Sequence, residues 1–189
     1  MVSYADKPLI GPMSAEEWEA FLDDDPPVGG VRLLLRKKTS SAPGMSYAEA
    51  IDVALCFGWI DGQVARHDDD YVAQAFTPRR ARSPWSEINQ GHVHRLIEAG
   101  RMRPQGLAEI ERAKADGRWD VAYRMSTAEP EPDFQAALDA NAEAAAFWAT
   151  LGRSKRWPFL FRLSNAKRAE TRARRIQQFI ETLARHETL

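Results

Sequence analysis

The feature that most constrains the fold of this chain is one short helix that is apolar on nearly every face. Ser46-Tyr47-Ala48-Glu49 forms a capping box, in which a serine hydroxyl and a glutamate side chain bond the free N–H groups at a helix start. The segment SYAEAIDVALCFG carries charge only at Glu49 and Asp52. Gly58 stands where a left-handed residue commonly ends a helix. Because such a helix buries all its faces, the rest of the N-terminal half must enclose it.

A second capping box and three strand signals supply the layers around this helix. Ser14-Ala15-Glu16-Glu17 opens another helix with large apolar side chains on one face. Within Val31–Lys38, the sequence VRLLL predicts a buried strand. Two shorter strands are predicted at Gln63–Arg66 and Tyr71–Phe76, joined through the turn HDDD. Together these elements predict a small antiparallel or mixed sheet packed with helices.

The middle of the chain predicts two helices with clear ends. The first begins with Ser86 as its cap, runs to about Ala99 and ends at Gly100. The second has Pro104 in its first turn and ends at Gly117.

The C-terminal part reads as entirely helical. Arg118–Pro132 contains prolines, lacks periodicity and is predicted to be a linker. An Ala-rich segment follows at Asp133–Leu151, and Asn165–Arg185 carries an apolar stripe at helical spacing. The predicted class is α+β, with an α+β core domain at 1–126 and an all-helical subdomain at 127–189, packed as one globular unit.

Composition limits the location and the partners. The chain has 189 residues and a net charge of −1, so the whole molecule is not a polyanion binder and nucleic acid is an unexpected partner. Its apolar runs fall far short of the ~20 residues that a membrane span needs, so no membrane insertion is expected. No N-terminal signal sequence is visible, and the cytoplasm is the simplest location. The single cysteine, Cys56, lies in an apolar run and is expected to be structural.

Candidate ligand-binding residues concentrate between a strand end and a helix start. The run TPRRARSPWS from Thr77 to Ser86 places three arginines near the free N–H groups of a helix, which favour an anion. Arginine forks suit carboxylate and phosphate groups, and two serine hydroxyls stand beside them. The structural alternative is that Arg79 or Arg80 pairs with Asp61 or with the acidic N-terminal half.

The sequence GWIDGQ adds a second side to this candidate site. Gly58 and Gly62 bracket Trp59-Ile60-Asp61, so we expect the backbone to turn sharply at both ends and to hold Asp61 facing the arginines. The alternative is a structural Asp–Arg pair with Trp59 in the core. The candidate ligand-binding residues from this chemistry are Trp59, Asp61, Gln63, Phe76, Thr77, Arg79, Arg80, Arg82, Ser83, Trp85 and Ser86.

The sequence offers little for metal binding or nucleophilic catalysis. The residues of HDDD are adjacent at a hairpin tip and cannot converge on one ion without other partners. His92 and His94 point to different faces of their helix, and His92 is in register with Ile88 and Leu96, which predicts packing. Neither a G-x-S-x-G elbow nor a glycine-rich phosphate loop occurs. We therefore expect no metal and no cofactor, and the catalytic residues, if any, are undefined.

The last helix is basic opposite its apolar stripe. Residues 153–189 carry ten basic and three acidic side chains, whereas residues 1–78 carry six basic and thirteen acidic ones. A basic helix can dock on nucleic acid, acidic lipid or an acidic protein face. The commoner explanation is a solvated face, or pairing with the acidic front half of the same chain. The basic residues in question are Lys167, Arg168, Arg172, Arg174 and Arg175.

Four motifs resemble one known family. ALCFGWIDGQ, FTPRRxRSPWSxIN, RLIxxGRMxPxGLxxIxxAKxDGRW and AKRAETRARRIQQFIxTLAR are similar to the YdeI/OmpD-associated family, often labelled bacteriocin-protection proteins. The resemblance runs from about Trp18 to Glu187. It marks much of the candidate site and adds Asn89 to the candidate ligand-binding residues. It also implies association with an outer-membrane porin and resistance to cationic antimicrobial peptides, with no established reaction or cofactor.

These observations favour a binding or stress-protection protein with an Arg- and Trp-lined site. The expected ligand is a small anion, or a peptide with acidic and aromatic groups. Two alternatives stay open. One is an enzyme that acts on a nucleotide or another phosphorylated substrate, with Asp61 or Glu49 as general base. The other is an interaction module that uses the basic C-terminal helix to bind an acidic protein or RNA.

Overall fold

The structure, a computed structural model, describes residues 2–123 and 128–189. The chain forms two units, Met1–Tyr123 and Arg124–Leu189, called here the N-terminal and the C-terminal unit. The described residues of the N-terminal unit contain a sheet and four helices, and those of the C-terminal unit contain helices only. The α+β class is therefore confirmed. The predicted domain boundary between residues 126 and 127, and the middle of the predicted linker, lie outside the described residues.

The sheet of the N-terminal unit is mixed. Its strands are β1 (Leu9–Ile10), β2 (Val31–Arg36), β3 (Trp59–Arg66) and β4 (Tyr71–Pro78), in the spatial order β1-β2-β4-β3. β1 is parallel to β2, and the β2–β4 and β4–β3 pairs are antiparallel. The VRLLL run lies in β2, one of the two inner strands, and its apolar side chains are buried as predicted.

The β3–β4 hairpin is longer than predicted. β3 begins at Trp59 rather than Gln63, and β4 continues to Pro78 rather than ending at Phe76. The sharp turn predicted at Gly62 is wrong, because this residue lies within β3 next to a shift in register between Asp61 and Val64. Pairing with β4 supplies the backbone bonds that keep this segment extended.

The predicted core helix is confirmed as α2 (Tyr47–Cys56), which begins with the Ser46 capping box and is buried along most of its length. α1 (Ala15–Asp23) packs on it and begins with the Ser14 capping box. The indole Nε1 of Trp18 donates a hydrogen bond to the Ala50 carbonyl at 3.2 Å. The same indole contacts the rings of Trp59 and Phe76, which fastens α1 to both α2 and the sheet.

Two further helices follow the sheet, as predicted. α3 (Glu87–Glu98) is capped by Ser86, and α4 (Pro104–Ala115) begins with a proline in its first turn. Gly58 ends α2 with a φ of +73°, and an added Cβ there would lie 3.0 Å from the Gln105 carbonyl oxygen. Glycine at this position therefore allows α4 to approach the end of α2.

The start of the predicted linker belongs to the N-terminal unit. The N–H of Trp119 donates to the Ala113 carbonyl at 3.0 Å, and its ring lies 4.9 Å from the ring of Trp85. The N–H of Tyr123 donates to the Trp85 carbonyl, also at 3.0 Å. Packing of two large indoles outweighs the irregular local sequence, so the prediction of a linker is wrong for residues 118–123.

The C-terminal unit has its own hydrophobic core. Asn141 divides the Ala-rich segment into two helices, because its side chain accepts the Ala144 N–H at 3.0 Å and caps the second one. Phe134, Trp148, Phe159 and Phe179 meet at the centre of the unit. Its helices are α5 (Pro132–Asp139), α6 (Ala142–Thr150), α7 (Arg153–Ser164) and α8 (Ala169–Ala184).

Candidate functional site

The segment that joins β4 to α3 is held in place by backbone hydrogen bonds. The N–H of Arg79 donates to the Gly58 carbonyl at 2.9 Å. The Ser83 hydroxyl oxygen accepts the Arg80 N–H at 3.0 Å. The Ser86 hydroxyl oxygen accepts the Asn89 N–H at 3.1 Å and thereby caps α3. These two serine hydroxyls, predicted to contact a ligand, therefore already serve the backbone.

Arg79 is a buried charge at the centre of this segment. Only 6% of the residue is exposed, and its guanidinium lies 3.5 Å from the centroid of the Trp85 ring. Its Nη1 donates to the Pro84 carbonyl at 3.2 Å. Burial lowers the pKa of Arg79 to about 10, which still leaves it charged at neutral pH. Arg79 forms no ion pair within the described residues, so the structural alternative of an Arg79–Asp61 salt bridge is wrong.

Arg79 and three nearby side chains carry buried nitrogen donors that form no hydrogen bond within the described residues. They are Nε and Nη2 of Arg79, Nε1 of Trp85, Nε of Arg112 and Nη2 of Arg118. We call Arg79, Trp85, Arg112 and Arg118 the donor cluster. Arg118 belongs to it geometrically, because its Nη1 donates to the Ser83 carbonyl at 2.7 Å. The cluster thus combines the β4–α3 segment, α4 and the turn that follows α4.

One carboxylate, that of Glu109, lies among these arginines. It contacts Arg112, and the charges of Arg79 and Arg118 also act on it. Burial nevertheless dominates and raises the pKa of the Glu109 carboxyl above its ordinary value. Glu109 pairs with Arg112, and Asp116 pairs with Arg118, whose single Nε–H is shared between the two carboxylate oxygens. Arg79 is left without a carboxylate of its own.

A second polar group, centred on Asp61, borders the donor cluster. The Tyr47 hydroxyl donates to Oδ2 of Asp61 at 3.0 Å. Burial raises the pKa of the Asp61 carboxyl, whereas the Tyr47 hydrogen bond and the charge of Arg79 oppose that change. Tyr123 lies in the same region, since burial and the charge of Asp61 both raise the pKa of its phenol. Asp61 therefore lies within electrostatic reach of Arg79 although the two do not pair.

A surface cavity of about 560 Å³ has Arg79 in its wall. Its other lining residues are Val2, Val28, Gly29, Thr77, Pro78 and Arg80. The carbonyl of Gly29, one of these lining residues, accepts a hydrogen bond from the Lys7 ammonium. Arg79 is therefore both a lining residue of this cavity and a member of the donor cluster.

The structure brings some of the predicted site residues together and separates others. Arg79, Ser83, Trp85 and Ser86 lie around the donor cluster, with Asp61 at its border and Asn89 half-buried on the first turn of α3. Trp59 and Phe76 belong to the hydrophobic core and offer no face to a ligand. Four others lie at the surface or in the cavity wall: Gln63 and Arg82 are exposed, and Thr77 and Arg80 line the cavity.

Five contributors to this region escaped the sequence-based reasoning: Tyr47, Glu109, Arg112, Arg118 and Tyr123. Arg112 and Arg118 stand inside a motif quoted above, but they are more than thirty positions from Arg79. No local pattern links residues at that separation. The helix period of α4 places Glu109 and Arg112 on one face, which was the only available signal.

The remaining predictions concerned Glu49 as a general base, the packing of His92, metal binding and membrane insertion. Glu49 accepts the Ser46 N–H in the capping box, and this lowers the pKa of its carboxyl, so it is a poor general base. His92 does not pack as predicted: its Nδ1 lies 2.7 Å from Oδ1 of Asp52, which also accepts from Arg95. The described residues contain no group of three or more His, Cys, Asp and Glu side chains able to hold a metal ion. None of the described helices is long and apolar enough to span a bilayer.

Fold and site together define an α+β protein that encloses a donor-rich, acceptor-poor cluster beside a small mixed sheet. The chain belongs to the family described as a domain of unknown function, DUF8412, whose model matches residues 11–109, more than half of the 189 residues. Residues 127–186 match a second family model, described as Bacteriocin-protection, YdeI or OmpD-Associated. No curated protein and no solved structure matches the chain.

The resemblance predicted over Trp18–Glu187 is therefore supported only in the C-terminal part. The motif AKRAETRARRIQQFIxTLAR lies inside the matched range, and the other three motifs lie outside it. The candidate site belongs entirely to the N-terminal unit. Its residues consequently rest on their own geometry, and the similarity to the YdeI/OmpD-associated family adds nothing to their assignment.

Proposed function

We propose that this protein binds a small oxyanion, of the carboxylate, sulfate or phosphate class, at the donor cluster of its N-terminal unit. The observation that carries the proposal is the set of five buried donor nitrogens on Arg79, Trp85, Arg112 and Arg118 that meet no acceptor in the described residues. An oxyanion accepts hydrogen bonds on every oxygen, and its negative charge would pair with the guanidinium of Arg79.

The energetic argument supports a ligand over a purely structural cluster. A buried donor without an acceptor costs ~1–3 kcal/mol. Five such donors would cost an amount comparable to the whole stability of a domain, ~5–15 kcal/mol. A group that supplies acceptors to several of them at once offsets much of that cost. Charge-assisted hydrogen bonds from arginine forks are also roughly twice as strong as neutral ones.

The surroundings favour a small ligand rather than the aromatic peptide considered from the sequence. Trp85 is covered by the Arg79 guanidinium on the side of the cation–π contact, and Trp59 and Phe76 are in the core. No large aromatic face of the predicted set is therefore available for stacking. Because few acceptors surround Arg79, these surroundings instead favour a ligand that has a negative charge and oxygen acceptors.

The test is isothermal titration calorimetry of the full chain with sulfate, phosphate and acetate, in chloride buffer at neutral pH. We expect saturable binding of at least one of these anions at one site per chain. Arg79→Met, which keeps the length and bulk of the side chain, should abolish this binding, and Arg118→Gln should weaken it. Arg66→Gln is the matched control, because Arg66 is exposed and its one ion pair within the described residues is with Asp69 at the surface.

Two results would contradict the proposal. One is equal affinity in Arg79→Met and the unmodified chain. The other is the absence of a titration signal for all three anions while Arg79→Met and Arg118→Gln remain folded by circular dichroism. In either case ordered water, rather than a ligand, would satisfy the donors.

A second function is favoured by one observation, the Tyr47–Asp61 pair at the border of the cluster. A half-buried carboxyl with a raised pKa beside a bound anion is suited to proton transfer. The protein would then act on an anionic substrate such as a phosphorylated metabolite, with Asp61 as general base. Turnover that Asp61→Asn abolishes while anion binding persists would establish this enzyme. Unaltered turnover in Asp61→Asn would exclude this role.

A further inference from the structure

We infer that the α7–α8 junction of the C-terminal unit is a docking surface for an extended acidic segment of another protein. Four cations at this junction are exposed and make no ion pair or side-chain hydrogen bond within the described residues: Arg162, Lys167, Arg168 and Arg174. We call them, together with Arg175, the basic junction. This inference is independent of the anion site in the N-terminal unit.

Backbone contacts between the two helices gather these cations. The Nη1 of Arg175, on α8, donates to the backbone carbonyl of Arg162, near the end of α7. The Nη1 of Arg172 donates in the same way to the Leu163 carbonyl at 2.9 Å. The end of α7 therefore lies against the first turns of α8. Lys167 and Arg168 occupy the short connection between the helices, which completes the basic junction.

The chain itself shows how α8 binds a short acidic segment. Arg172 holds Glu131-Pro132-Asp133: its Nε and Nη2 donate to the two carboxylate oxygens of Asp133 at 2.5 and 2.6 Å. Its Nη2 also lies 3.0 Å from a carboxylate oxygen of Glu131. This hydrogen bonding lowers the pKa of the Asp133 carboxyl. One arginine of α8 thus already binds two carboxylates at alternate positions of a proline-containing segment.

The remaining cations have a spacing suited to extended chain. Lys167 and Arg174 are seven positions apart, as are Arg168 and Arg175. Arg168 is the N-cap residue of α8 and Arg175 lies on the helix, so this pair is separated by a rise of ~10 Å, and three residues of extended chain cover about the same length. Carboxylates at every second or third position of a partner segment would therefore meet successive cations.

Two other partner classes fit less well. A nucleic-acid surface is favoured by a strongly basic domain, whereas this chain has a net charge of −1. A lipid surface requires an exposed apolar face next to the cations. Phe179 and Leu183 of α8 are instead buried and Ile176 and Ile180 are half-buried, so α8 has no fully exposed large apolar side chain among the described residues.

The experiment measures fluorescence anisotropy of a labelled synthetic peptide of repeating Glu-Pro-Asp units, titrated with the full chain. The control peptide repeats Gln-Pro-Asn and has the same length. We expect saturable binding of the acidic peptide only, with an affinity that falls as salt concentration rises. The double variant Arg168→Gln, Arg174→Gln should raise the dissociation constant roughly 2- to 30-fold, the range that two surface charge pairs support.

The matched control variant is Arg185→Gln, because Arg185 lies at the far end of α8 and pairs with Glu187. It should leave the dissociation constant unchanged. The inference is overturned if the double variant binds like the unmodified chain, or if Gln-Pro-Asn binds equally well. It is also overturned if single-stranded RNA or anionic vesicles bind more tightly and lose affinity in the same double variant. Self-association that depends on Arg168 and Arg174, without peptide binding, would show that the partner is a second copy.

Discussion

The two units of this protein both contain arginines without acidic partners, but they place them in opposite surroundings. In the N-terminal unit Arg79 is buried against Trp85, and burial lowers its pKa. In the C-terminal unit Arg168 and Arg174 are exposed to water. A buried, unpaired charge is costly and demands a well-fitting acceptor. An exposed charge is hydrated, costs little, and binds weakly over longer distances. The same residue type therefore supports a selective site in one unit and a salt-sensitive surface in the other.

The two units also differ in how they are held together. The N-terminal core is built around α2 and the indole of Trp18, and the C-terminal core is a cluster of aromatic rings around Phe134. Each hydrophobic cluster lies within one unit. The predictions below use this separation, and they run from the largest expected effect to the smallest.

The largest effect is expected from truncating the N-terminal core. Trp18→Ala should destabilise the N-terminal unit by ~3–5 kcal/mol, because it removes a fully buried indole that contacts α2 and the sheet. Hydrogen exchange followed by mass spectrometry should show lost protection in α2 and unchanged protection in α8. Phe134→Ala is the reciprocal variant. Equal loss of protection in both units would mean that the two cores are not independent.

The second prediction concerns the buried arginine. In buffer without oxyanions, Arg79→Met should stabilise the N-terminal unit by ~1–3 kcal/mol, because it removes two buried donors without acceptors. Because the folded-state pKa of Arg79 is lowered to about 10, the cost of its charge is fully present at pH 7 and declines as pH rises above that value. Urea denaturation at pH 7 measures the change.

The matched exposed variant, Arg174→Met, should change stability by less than ~0.5 kcal/mol. A clear loss of stability in Arg79→Met would show that Arg79 is satisfied inside the protein, and the contrast between the two units would then disappear.

The third prediction tests whether Glu109 competes with the ligand for the arginines. Glu109→Gln should tighten sulfate binding by up to ~10-fold at neutral pH, which corresponds to about 1.4 kcal/mol. In the unmodified chain, affinity should rise as pH falls through the raised pKa of Glu109, because protonation removes the competing charge. Calorimetry with sulfate between pH 5 and 8 measures both effects. Persistence of the pH dependence in Glu109→Gln would assign it to another group, with Asp61 as the next to test.

The smallest effect is expected at the exposed carboxylate of the C-terminal unit. Asp133→Asn should destabilise this unit by ~0.3–1 kcal/mol, a value reduced by solvent because about half of the Asp133 side chain is exposed. The lowered pKa of Asp133 means that its contribution is present at neutral pH and is lost as pH falls through the folded-state pKa. Thermal unfolding at pH 7 and pH 2.5 should show the difference at neutral pH alone, and high salt should shrink it.

Local patterns were sufficient for most of the helices and for the inner strand β2. Capping boxes, terminating glycines and a Pro at a first turn each act within a few residues, so Ser46, Gly58 and Pro104 predicted their helix ends correctly. Local patterns failed where distant partners decide the outcome. The sequence around Trp119 predicted a linker, but the ring of Trp119 packs on that of Trp85. Gly62 predicted a turn, but its strand pairs with β4.

The candidate site divides along the same line. The sequence by itself determined that Arg79, Ser83, Trp85 and Ser86 occupy a loop between a strand and a helix, because local composition and caps fix that connection. Only the tertiary structure decided that Arg112, Arg118 and Glu109 join Arg79, and that Trp59 and Phe76 belong to the core. The physical reason is that burial and ion pairing depend on which surfaces meet when helices pack on the sheet. A residue's neighbours in the sequence carry almost no information about which distant surface it will contact.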